Sequence, residues 1–175
     1  MKSALIVGAG PGISSSFARA LAQDGYHVTL AARDTDKLTD LTHEIDGRTI
    51  ACNVLEANEI TQLFQEIDAT GRDLEVVLYN PSFRERGSFL DLDPERTRKS
   101  LMVTAYGGFL VAQEAAQRMI TRRRGAIFFT GASASVKGYA KSAPFAMGKF
   151  ALRGLAQSMA RELGPQGIHL SLIHI

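Results

Sequence analysis

The sequence predicts an α/β fold, a doubly wound parallel sheet with helices on both faces. Short apolar runs alternate with longer amphipathic ones along the whole chain. The short runs have the length and the Val, Ile, Leu and Phe content of strands buried on both sides. Each run is separated from the next by enough residues for a helical crossover, and right-handed crossovers leave few other arrangements.

The elements follow in order. Residues 4–7 form the first apolar run, ended by Gly8. A helix is expected over 13–24, with Phe17, Ala20 and Leu21 on one face and Gly25 as its stop signal. Strands are expected at 27–32, 49–54 and 74–79, with helices over 36–45 and 58–69 between them. Asp93 is a good N-cap and Pro94 a good first residue for a long helix over 94–122. A fifth strand at 126–130 leads to a helix over 142–163. There Leu152, Leu155, Met159 and Leu163 recur at three- and four-residue spacing. A sixth strand at 168–173 ends the series, and no internal repeat or low-complexity segment interrupts it.

The 175 residues fit one domain spanning 1–175, and 45% hydrophobic against 22% charged residues is enough to build a core. A net charge of +2 gives no argument for nucleic acid or an anionic membrane. Arg122, Arg123 and Arg124 read as cations closing a helix beside its negative end. Cys52 is the only cysteine, which excludes an internal disulfide and fits a reducing compartment. His27, His43, His169 and His174 have no ligand spacing, so no metal is expected. No run approaches a signal-peptide core or a transmembrane span, so the expected location is cytoplasmic, with no membrane partner. The apolar run 169–175 has no cap, loop or helix after it, and the chain is expected to be a fragment of a longer one.

The informative motif is the turn after the first strand, Gly8-Ala9-Gly10-Pro11-Gly12-Ile13-Ser14. Glycines allow a tight turn and a close backbone approach, and the helix that follows presents free N–H groups at its positive end. That combination suits a pyrophosphate. The pattern GxGxxG fails at its sixth place, where Ile13 stands. The pattern GxxxGxG matches at Gly8 and Gly12 and finds Ser14 at its last place.

That glycine spacing, together with the run 148–169 (GKFALRGLAQSMARELGPQGIH), resembles the short-chain dehydrogenases/reductases. The resemblance covers essentially the whole chain and implies a Rossmann-type domain binding a nicotinamide cofactor. It also implies that a substrate-covering segment and a final strand would follow residue 175. Cofactor contacts fall by resemblance on Gly8, Gly10, Gly12, Ile13 and Ser14 in the turn. Asn53 and Val54 would lie beside the adenine, and Asn80 and Pro81 beside the ribose. Ala32 occupies the place of the acid that selects NAD, and Arg33 follows it. A guanidinium can bond two oxygens of a 2′-phosphate, so NADP(H) is preferred and NAD(H) remains possible, with Asp34 the counter-argument.

The family's chemistry is hydride transfer, with a tyrosine exchanging the proton, a lysine four residues on lowering its pKa, and a serine polarising the carbonyl. Here the segment is Phe145-Ala146-Met147-Gly148-Lys149, so the lysine is kept and the tyrosine is replaced by a ring with no proton. Ungapped alignment puts Ala132 in the serine place, and a one-residue adjustment puts Ser133 there. Thr104 stands in the place of a family asparagine. Tyr139, in the loop before the helix, is the other phenol within reach. The expected catalytic residues are therefore Lys149 and Ser133, and by resemblance Lys149 is also expected to bind the cofactor through the nicotinamide ribose.

The resemblance implies an NADP(H)-dependent oxidoreductase acting on a small carbonyl or alcohol. The alternative is an NADP(H)-binding protein without redox turnover, a sensor or structural subunit, which Phe145 and Ala132 favour. A flavoprotein is disfavoured by Ile13 and by the missing acid. Met102, Phe109, Leu110 and Met119 read as core or subunit contacts, and by resemblance the chain is expected to be a homo-oligomer.

Overall fold

The computed structural model describes residues 2–173, so His174 and the end of the run 169–175 lie outside the described residues. The strands are β1 (Lys2–Val7), β2 (His27–Ala32), β3 (Arg48–Ala51), β4 (Asp73–Tyr79), β5 (Gly125–Thr130) and β6 (Ile168–Ile173). All neighbours pair in parallel, in the order β3-β2-β1-β4-β5-β6. Helices α1 (Ile13–Gln23) and α2 (Thr39–Glu44) pack on one face. Helices α3 (Ala57–Asp68), α5 (Gly107–Ile120) and α6 (Ala143–Leu163) pack on the other, while α4 (Pro94–Leu101) lies against α6. The Rossmann-type architecture read from the sequence is present.

Alternation along β1 shows why the strands read as unbroken apolar runs. Ala4 and Ile6 enter the core with Ala18 and Leu21 of α1, while Leu5 and Val7 enter the core with Phe64, Met119 and Leu152. Successive side chains of a strand point to opposite faces, so a sheet covered on both sides needs an apolar residue at every position.

Four expectations need correction. Strand β3 stops at Ala51 rather than 54, because the Asn53 side-chain carbonyl accepts from Leu55 N at 3.2 Å and Glu56 N bonds Asn53 O at 3.0 Å. This Asx-type turn diverts the chain from the sheet. In α1 the face against the sheet carries Ser14, Ala18 and Leu21, and Ala20 is exposed. The helix expected over 36–45 opens with a 3-10 turn, Asp36–Leu38, and ends at Glu44.

The long helix over 94–122 is not one regular helix. It is α4, a π turn at Met102–Tyr106, and α5 ending at Ile120. Its start is as expected, with Asp93 Oδ1 accepting from Arg96 N at 2.7 Å. The π turn coincides with the fully buried Tyr79, whose hydroxyl donates to the Val103 carbonyl. A carbonyl bonded from outside the helix need not complete the regular ladder, and the turn widens. Gly107 and Gly108 let the chain pass this close: a Cβ at Gly107 would sit 2.5 Å from the Tyr79 oxygen, and one at Gly108 2.8 Å from Leu152 Cδ1.

The three arginines after α5 hold the amino edge of the sheet. Arg122 pairs with Asp73 at 3.2 Å, Arg124 pairs with Glu75 at 3.2 Å, and Arg123 donates to Pro165 O at 3.0 Å. Met119 is core, whereas Phe109 is exposed. Among the described residues no helix is long and apolar enough to cross a membrane.

Overpacking at the α5 contact gives a direct test. Gly107→Val should destabilise the fold by about 3 kcal/mol in urea unfolding. Gly154→Ala, where an added Cβ in α6 meets open space, should stabilise it by roughly 0.5–1 kcal/mol.

Candidate functional site

The sheet order reverses at β1, with β2 on one side and β4 on the other. Loops leaving β1 and β4 at their carboxyl ends therefore run to opposite faces and leave a crevice between them. The glycine turn enters it from β1, and Asn80-Pro81 enters it from β4.

The turn is built for close approach. Gly8 has φ +74°, and a Cβ there would lie 2.7 Å from the Pro81 ring. Gly8 N and Ala9 N both bond Ala31 O, at 2.8 and 3.1 Å. Buried Ser14 closes the loop: its Oγ donates to Gly10 O at 2.7 Å and accepts from Gly10 N at 3.0 Å. A Cβ at Gly10 or Gly12 would meet nothing within 4 Å, so one side of the turn is open. Gly12 N and Ile13 N have no partner among the described residues, and the first turn of α1 carries no acid. Open backbone N–H groups at a positive helix end fit a phosphate-bearing cofactor.

Beside the turn lies a cavity of about 510 Å³ whose wall includes Gly8, Arg33, Asn53, Val54, Asn80 and Pro81. Six of the expected cofactor residues thus share one wall, while Gly10, Gly12, Ile13 and Ser14 belong to the turn but not to the wall. Arg33 is exposed and makes no ion pair among the described residues. Asp34 is engaged by Lys37 at 2.8 Å, whose hydrogen bond holds the carboxyl below its ordinary value. The Asn53 oxygen is used in its own turn, which leaves the NH₂ as its free function. Burial pushes the Cys52 thiol up to about 11, so it stays protonated.

A second cavity of about 560 Å³ adjoins the first, and Asn80 and Ser82 line both. Its wall includes Lys149, Phe145, Ser133, Tyr139, Arg84 and Arg86. Lys149 is only 2% exposed and donates to Thr130 O at 2.6 Å. Burial, then the nearby Arg84 charge, pushes its ammonium down to about 8. Four-residue spacing puts Phe145 and Lys149 on one face of α6, with the ammonium 5.7 Å from the ring centroid. The Arg84 guanidinium lies 4.6 Å from the same ring.

Ser133 is exposed at the head of a short 3-10 turn, and Ala132 lines the cavity beside it. The Tyr139 phenol is held below its ordinary value, first by the Ser133 hydroxyl and also by Lys137. Ser135, fully buried, accepts from Ala132 N at 3.1 Å and only closes the turn. Thr104 is outside both walls. It is buried in the π turn against α6, where a Cβ at Gly148 would lie 2.9 Å from its own. Sequence reasoning passed over Arg84, Arg86, Lys99 and Thr130, all of which line one cavity or the other.

Residues 2–175 match the short chain dehydrogenase family. The chain belongs to the short-chain dehydrogenases. Members of this family are oxidoreductases that bind nicotinamide cofactors. A short-chain dehydrogenase/reductase of Armillaria gallica is 31% identical over 176 residues, covering 96% of this chain and 67% of that protein. A solved short-chain dehydrogenase from Rhodopseudomonas palustris is 34% identical with a TM-score of 0.93, covering 99% of this chain and 84% of the other. A metagenomic short-chain oxidoreductase solved in complex with NADP is 27% identical with a TM-score of 0.92, covering 98% of this chain and 81% of the other.

For this short-chain dehydrogenase the buried lysine has a thermodynamic signature. Its folded pKa, about 8, lies below the unfolded value. Between the two the unfolded chain binds the extra proton, so stability rises with pH across that window and is lost as pH falls through it. Relative to Lys149→Met, the wild type should gain on the order of 2–3 kcal/mol between pH 8 and 10.5, read from urea midpoints at each pH.

Proposed function

We propose that the protein is an NADP(H)-dependent oxidoreductase acting on a small carbonyl or alcohol. The observation that carries this reading is that the two cavities share Asn80 and Ser82 in their walls. An open phosphate turn at one end is thereby joined to a buried lysine at the other. The nicotinamide cofactor, when bound, supplies or accepts the hydride. The chain supplies the rest: Gly8, Gly10, Gly12, Ile13 and Ser14 shape the turn for the pyrophosphate. Asn53, Val54, Asn80 and Pro81 flank the nucleoside, and Lys149 holds a proton beside the reacting oxygen.

Preference for NADP(H) is supported by Arg33, a cation that makes no ion pair among the described residues and directly follows Ala32, the place where an acid would select NAD(H). The relative solved with NADP accords with it. Ala32 puts no carboxylate at that place, and Asp34, which lines the same cavity, is engaged by Lys37 at 2.8 Å. Proton exchange runs through Lys149, with Ser133 and Tyr139 lining the same cavity. Exposed Tyr106, Phe109, Met147 and Phe150 on the π turn, α5 and α6 suit a subunit contact in a homo-oligomer. Phe145 favours a second reading, nucleotide binding without turnover, since the ring at the proton-exchanging place has no proton to give.

Fluorescence titration separates the cases. NADPH should bind more tightly than NADH, and Arg33→Ala should weaken NADPH roughly ten- to thirtyfold while leaving NADH unchanged. Oxidation of NADPH with a panel of small aldehydes, ketones and oxo acids, lost in Lys149→Ala, supports the oxidoreductase. Tight NADPH binding with no oxidation across the panel supports the second reading. A folded protein that binds neither nucleotide overturns both.

A further inference from the structure

The segment after β4 forms neither helix nor strand and alternates in burial. Pro81, Phe83, Glu85 and Gly87 are half-buried, whereas Ser82, Arg84, Arg86 and Ser88 are exposed. The odd-numbered residues are tied to the body of the protein. Phe83 O accepts from buried Ser100 Oγ at 2.7 Å, Glu85 pairs with Arg96 at 2.7 Å, and Gly87 N donates to Lys141 O at 3.2 Å. The alternation puts the two sets on opposite sides of the segment, so anchoring one set aims the other. Ser82, Arg84 and Arg86 all line the cavity that contains Lys149.

That wall therefore carries three cations, Arg84, Arg86 and Lys149, and no carboxylate. Neither Arg84 nor Arg86 makes an ion pair among the described residues; the one acid of the segment, Glu85, is occupied by Arg96. Arg84 is instead laid over the Phe145 ring, the face of which also meets the Lys149 ammonium. Like charges gathered in one recess repel unless something of opposite sign joins them, and two guanidinium forks on a fixed segment suit planar or tetrahedral oxyanions.

From this geometry we infer that the substrate of the site is an anion, a small carbonyl or alcohol compound bearing a carboxylate or phosphate group held by Arg84 and Arg86. The inference rests on the oxidoreductase reading for calling the ligand a substrate, but the anion site itself stands or falls separately.

Isothermal titration of the wild-type chain, with and without saturating NADP⁺, tests it with two matched pairs. These are 2-oxoglutarate against its dimethyl ester, and dihydroxyacetone phosphate against dihydroxyacetone. The anion of at least one pair should bind at least tenfold more tightly than its neutral partner and weaken as sodium chloride is raised. Which pair responds separates carboxylate from phosphate. Arg84→Ala and Arg86→Ala should each weaken that anion about tenfold while NADPH affinity stays within twofold, which shows that the variants fold. Equal binding of anion and neutral partner, no binding of either anion at 10 mM (roughly the weakest affinity a metabolite site would use), or a change below twofold in both variants overturns the anion site. Anion binding by a protein that binds neither nucleotide upholds it and overturns the oxidoreductase reading instead.

Discussion

One primary amide holds the carboxyl edge of the sheet together. Asn80 Nδ2 donates to Gly8 O at 2.9 Å, and Asn80 Oδ1 accepts from the Thr130 hydroxyl at 2.8 Å. Thr130 O in turn accepts from Lys149 at 2.6 Å. Strands β1, β4 and β5 are neighbours in the sheet, so their ends would otherwise leave three adjacent loops free to move independently. A neutral amide carries a donor and an acceptor on separate atoms, so it can donate to one loop while accepting from another. The glycine turn and the buried lysine, far apart in sequence, are thereby set at a fixed separation, which any reaction between a bound cofactor and a substrate requires.

The electrostatics of the second cavity follow from what that lysine lacks. A buried ammonium is normally matched by a carboxylate, because removing a charge from water is costly. Here a carbonyl and an aromatic face take that place, and both are weaker partners. The imbalance shows in the depressed pKa of Lys149 and in its second cause, the charge of Arg84. Arg84 gains some compensation from the same ring. Phe145 is thus more than an absent hydroxyl: its face lies beside two cations, Arg84 and Lys149.

The strands were legible because burial on both faces forces apolar residues at every position, as in Ala4 to Val7. The glycine turn was legible because Gly8 and Gly12 sit at positive φ, where other residues are strained. What escaped the sequence depends on contacts made elsewhere. The end of β3 is decided by one Asx-type turn at Asn53. The π turn is set by Tyr79, more than twenty residues upstream of Val103. On the face of α1 only Ala20 was misplaced, and nothing in an alanine's chemistry distinguishes it from the buried Ala18. Arg84 and Arg86 were unremarkable in sequence, since a charged pair in a loop is ordinarily a solvated one. Their direction is fixed by Ser100, Arg96 and Lys141, and nothing local announces those anchors.

Loss of the phenol need not remove the chemistry, because what a carbonyl reduction demands of the protein is stabilisation of negative charge on oxygen together with a proton. A tyrosine at position 145 would supply the proton, but its phenolate would also be stabilised by Lys149 and would neutralise part of the cavity. With phenylalanine in its place the cavity keeps its full positive potential. Lys149 itself, with a pKa of about 8, becomes a group that can release a proton near neutrality. A developing alkoxide beside this ammonium would raise the lysine's hold on its proton until transfer is complete, and then the amine would recover one from solvent. Positive charge fixed beside the reacting oxygen would stabilise the negative charge that develops on it and so lower the barrier.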